Sequence, residues 1–152
     1  MAGSILNYTT KIEAARTAAE IIGIIAKVGA KRSNITYDGA GVPLALEFMV
    51  TTETGEMVFR LPSRSEGVYQ VLYDDWNRGK ISGTFASRQQ ATRVAWRILK
   101  DWVEAQAAII QVGMVQLHEV MLPYHVLPEG NGVTMFEAFV DQRKALPPGG
   151  QQ

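Results

Sequence analysis

Between residues 73 and 100, cations and aromatic rings alternate: Tyr73, Trp76, Arg78, Lys80, Phe85, Arg88, Arg93, Trp96, Arg97 and Lys100. Cationic side chains neutralise phosphates and aromatic faces stack on unpaired bases, which is what binding a single-stranded nucleic acid requires. Arg78, Lys80, Arg88, Arg93 and Arg97 are the candidate phosphate contacts. Trp96 and Phe85 are the candidate stacking rings. The same residues admit a plainer reading, because Arg97–Asp101 and Lys100–Glu104 stand at i, i+4 spacing, where opposite charges merely solvate a helix face.

Other reactive groupings are sparse. His118 and His125 are seven apart and straddle Pro123, so they do not face one ligand as an i, i+4 pair would. His118 beside Glu119 has the residue types for acid–base work, but a packing or surface histidine is the reading the sequence favours. Asp74 and Asp75 are adjacent, and adjacent helical side chains diverge, so they are not a paired carboxylate site. No glycine-rich phosphate loop and no nucleophile elbow is present. The serines lack a paired base. There is no cysteine, which excludes disulfides, thiolate catalysis and cysteine-ligated metals. The expectation is a protein that is not an enzyme and that takes no cofactor or metal.

The 152 residues suit one domain, and 47% apolar content is enough for a core. Fifteen basic and fifteen acidic residues cancel, so global charge points to no nucleic-acid or membrane partner. Their distribution is uneven. Residues 64–100 carry seven basic and three acidic side chains, and residues 101–152 carry two basic and six acidic. The N-terminus lacks a signal-peptide pattern, and no apolar run reaches membrane-span length. A cytoplasmic protein without membrane contact is expected.

The elements that must hold these groups follow from periodicity. Thr10-x-x-Glu13 is a capping-box string before an isoleucine-rich helical pattern that closes at Gly29. Three alternating segments follow: Ser33–Asp38, Leu44–Thr51 and Met57–Leu61. Asp38-Gly-Ala-Gly41 and Glu53-Thr-Gly55 turn the chain between them, and Pro62 ends the third. Ser63-x-x-Glu66 predicts a helix to about Trp76, and residues 77–86 form a basic loop. Ser87-x-x-Gln90 opens a long helix to Val112. Its buried arc runs through Ala91, Val94, Ala95, Ile98, Leu99, Trp102 and Val103, with Trp96 at the boundary. Gly113 breaks it, a short piece runs from Val115 to Leu122, residues 125–132 are a loop, and Thr134-x-x-Glu137 opens a last helix to about Leu146.

The expected fold is therefore α+β. An N-terminal helix and a three-stranded antiparallel meander precede the remaining helices, in the order α-β-β-β-α-α-α-α, all packed on one sheet face. Residues 1–146 form the domain, and 147–152 are a disordered tail. The first five elements share their order with the double-stranded-RNA-binding domain. Ser63-Arg-Ser-Glu66 offers one arginine where that module needs a basic helix start, so the analogy is topological.

The strings Phe59-Arg-Leu-Pro62, Val94-Ala-Trp-Arg-Ile-Leu-Lys-Asp-Trp-Val-Glu-Ala-Gln106 and Leu122-Pro-Tyr124 resemble a family of small bacteriophage and prophage proteins, over roughly residues 15–140. The resemblance implies a mobile-element context in a host cell and carries no site residues. Two functions are expected from the sequence. One is single-stranded nucleic-acid binding in phage DNA metabolism. The other is a protein-interaction module, either a homo-oligomer or an inhibitor of a host protein, with Met114, Met121 and Met135 as adaptable contacts.

Overall fold

The computed structural model describes residues 4–146; the expected tail at 147–152 lies outside them. The fold is α+β: an N-terminal helix, an antiparallel meander and then helices packed against the first helix and the sheet.

Helix α1 (Ala14–Ala26) buries Ala14, Thr17, Ala18, Ile21 and Ile25, spacings of three and four that keep one stripe inward. It starts four residues after Thr10, whose hydroxyl accepts only from the Ile12 amide. Residues 5–10 instead form a turn held by α3 (Arg88–Gln111). Gln90 of α3, itself buried, donates its amide to the carbonyls of Tyr8 and Thr10 at 2.9 and 2.8 Å. That tertiary clamp overrides the local capping signal.

The sheet has order β1-β2-β3, from Lys31–Tyr37, Pro43–Thr52 and Gly55–Pro62. β2 and β3 pair in unbroken register from Ala45↔Pro62 to Thr52↔Gly55. β1 carries register shifts, and Arg32 sits there at φ 48°, a bulged edge of the kind that resists pairing with other strands. Leu46, Phe48, Val50, Phe59 and Leu61 pack into the main core with Ile21, Ile25 and Trp96. On the other face Glu47 pairs with Arg60 at 3.0 Å. Arg60 also donates to the Gly132 carbonyl at 2.6 Å, so the 127–133 loop folds over part of that face. His125 and Val126 extend the β3 edge through the Val58 carbonyl.

Helix α2 (Ser65–Asn77) begins past Ser63, with Arg64 at its cap and no side-chain cap bond. Leu72 is its buried anchor, whereas the neighbouring Val71 is 37% exposed. α3 starts as its sequence predicts, the Ser87 hydroxyl accepting from the Gln90 amide at 3.0 Å. Packed against both α1 and α2, α3 buries a wider arc than a one-sided helix does. The short α4 (Leu117–Val120) carries a Gln116–Glu119 capping box. It leads through a 3₁₀ turn at Leu122–Tyr124 to α5 (Met135–Ala145), where Thr134 and Glu137 cap each other reciprocally. α5 buries none of its side chains and leaves Phe136 and Phe139 exposed. No helix among the described residues is long and apolar enough to cross a membrane.

Candidate functional site

The cationic stripe expected on α3 is not an open surface. Arg93 pairs with Glu13 and Arg97 with Glu20, at 2.5 and 2.7 Å. Their side chains keep only 23% and 16% exposure. Glu13 and Glu20 come from the start and middle of α1, which runs beside α3. The i, i+4 pairing of Lys100 with Glu104 is present at 2.7 Å. Asp101, expected to take Arg97, instead accepts from the Asn7 amide at 2.7 Å. Lys80 stands 4.0 Å from Asp75.

Trp96 corrects the stacking expectation. Its side chain is fully buried in the core, and its indole N–H donates to the Pro43 carbonyl at 3.1 Å. No base can reach it. Phe85 is half-buried, edge-on to Tyr8 at 5.5 Å. Arg78 is exposed as the C-terminal cap of α2.

What the structure brings together instead is an aromatic flank on α2. Tyr69 and Tyr73 have ring centroids 6.0 Å apart, and Tyr73 and Trp76 are 5.9 Å apart. Tyr73 is 39% and Trp76 45% exposed. At 3.6 residues per turn the three rings fall within roughly 60° of one another, while Asp74 and Asp75 point roughly 130° away. The i, i+4, i+7 spacing was the signal that could have found Tyr69. Trp76 rests on Gly83, where a Cβ would stand 3.0 Å from its indole nitrogen. That close approach seats the ring.

Arg88 closes the other end of the flank. Its guanidinium lies 4.2 Å over the Tyr69 ring, a cation–π contact, and it pairs with Glu66 at 2.5 Å. The hydrogen bond and the charge of Glu66 raise the Arg88 pKa. Both side chains are about 70% exposed, so this pair contributes little stability and is easily rearranged.

Beyond Tyr69 and Arg88 the surface sinks into a cavity of about 490 Å³, where the first turns of α1, α2 and α3 meet the β1–β2 turn. Ala14, Pro43, Leu44 and Ala91 are among its apolar lining; Glu13, Asp38, Glu66, Arg88 and Arg93 are its charged residues. Among the described residues no group of three or more His, Cys, Asp or Glu side chains is placed to hold a metal ion. His125 is committed to the Val58 carbonyl at 3.0 Å. No family model, curated protein or solved structure matches this chain.

Proposed function

We propose that the chain is a protein-interaction module that docks a partner on the α2 aromatic flank and the cavity beside it. The observation that carries this reading is the Tyr69–Tyr73–Trp76 row, with Tyr73 and Trp76 exposed and Arg88 on its end. Tyr, Trp and Arg are the side chains that dominate binding at interfaces, because they bury large area with few rotors and keep a polar handle. Neutralisation of the α3 arginines by Glu13 and Glu20 removes the charge on which a phosphate-binding face would have rested. A phage or host protein would be the partner if the resemblance of the 59–62, 94–106 and 122–124 strings to small phage proteins holds, and a second copy of the chain is the other candidate.

Single-stranded nucleic acid is the second reading, favoured by one observation: a cation stacked at the end of an aromatic row.

A double variant, Tyr73→Ser with Trp76→Ser, separates these readings. Both side chains are exposed, so the melting temperature should hold. A partner or self-association lost in the variant supports docking. Oligonucleotide anisotropy that falls steeply with salt and is lost in the same variant supports the second reading. If neither binding is affected, the flank is inert.

A further inference from the structure

Leu44 is the anomaly of the core face. It shares the strand parity of Leu46, Phe48 and Val50, which are all buried, yet it is 48% exposed. The sheet's apolar face runs on past the point where α1 and α2 begin, so its last leucine forms part of the cavity lining rather than meeting a helix. Around that apolar patch stand three exposed acidic residues, Glu13, Glu66 and Asp38. Each oxygen pair accepts more bonds than it is given. Asp38 Oδ1 takes the Ala40 and Val42 amides at 2.8 and 2.9 Å, and Glu13 and Glu66 each accept from one arginine. Of the opposing cations, Arg93 is tucked against Glu13 at 23% exposure and Arg88 leans onto Tyr69. The outward rim is therefore carboxylate-rich by one charge, three against two.

We propose that this cavity receives an extended segment of the partner in which an aliphatic or aromatic side chain is followed closely by a lysine or arginine. The apolar side chain covers Leu44, and the cation meets Glu66 and Asp38. Glu66 is free to turn because its pair with Arg88 is solvent-exposed. This rests on the docking function proposed above and names the chemistry of what docks. A phosphate chain is disfavoured at the same rim by its sign.

The test is selection of displayed random short peptides on the intact chain, with enriched peptides measured against three variants. Leu44→Trp fills the cavity at a position already half exposed, so the fold is retained. The expected result is enrichment of an apolar–basic pair, roughly tenfold weaker binding to Leu44→Trp, and a several-fold loss with Asp38→Asn plus Glu66→Gln that added salt also produces. Absence of enriched peptides overturns the proposal, as do peptides dominated by Asp and Glu. Peptides that bind Leu44→Trp normally but fail on Tyr73→Ser with Trp76→Ser overturn the cavity while leaving the aromatic flank standing. Peptides that ignore the flank variant but lose Leu44→Trp support the cavity alone.

Discussion

Replacing Trp96 with phenylalanine tests whether this ring is structural. The substitution keeps an aromatic side chain but deletes the indole N–H that donates to the Pro43 carbonyl at 3.1 Å. Both residues are buried, and a buried acceptor left without a donor costs about 1–3 kcal/mol. The lost ring volume, roughly 40 Å³ at about 24 cal/mol per Å³, adds about 1 kcal/mol. The sum is about 2–4 kcal/mol, which for a domain of this size lowers the melting temperature by roughly 4–16 °C. Urea unfolding followed by far-UV circular dichroism measures it, because that signal does not depend on which tryptophan was removed. Trp76→Phe is the internal control: its ring is 45% exposed, and the change should stay within about 0.5 kcal/mol. A Trp96→Phe loss no larger than that of Trp76→Phe would refute the reasoning, and the burial of Trp96 with it.

Three further outcomes are expected. Arg97→Ala should destabilise the fold by about 1–2 kcal/mol, and a double-mutant cycle with Glu20→Ala should return a coupling above about 0.5 kcal/mol; a coupling of zero would mean the pair is incidental. Gln90→Ala should cost about 1–3 kcal/mol and speed hydrogen exchange at the Tyr8 and Thr10 amides, which are bonded within the clamped turn. Unchanged exchange would show that the turn holds itself. Gly83→Ala should leave stability within about 1 kcal/mol yet displace the Trp76 indole, seen as a shift of its N–H resonance, and weaken partner binding.

The meander and the long helix were legible in the sequence because their signals are local. Alternation at 44–51 and 57–61, the turn at Glu53-Thr-Gly55 and the Ser87 cap each act within a few residues. The capping string itself was not decisive. At Ser87 and Thr134 the side chain caps a helix, but Thr10 and Ser63 cap none, and α1 and α2 begin four and two residues after them. Whether the first turn forms depends on bonds such as Gln90 to Tyr8, which join residues far apart in sequence. The candidate site failed for the same reason. A helical wheel places Arg93 and Arg97 on a polar arc and Trp96 at its border, but it holds no information about a second helix whose glutamates and isoleucines occupy that side. Tyr69, Tyr73 and Trp76 were within reach of the wheel, since their shared flank follows from spacing alone.

The clamp between the two ends of this topology also sets the order of events during synthesis. α1 is docked by groups that lie 77 to 82 positions later, in the bonds from Gln90, Arg93 and Arg97. At about 5–20 residues per second, the ribosome leaves that isoleucine-rich helix without α3 for roughly 4–16 s. The meander can close its hairpins and meet the isoleucines of α1 within that interval, but the part of the core that Trp96 and Val103 complete stays open. Nascent chains halted before residue 97 should therefore be the species that chaperones hold, and release should follow emergence of α3.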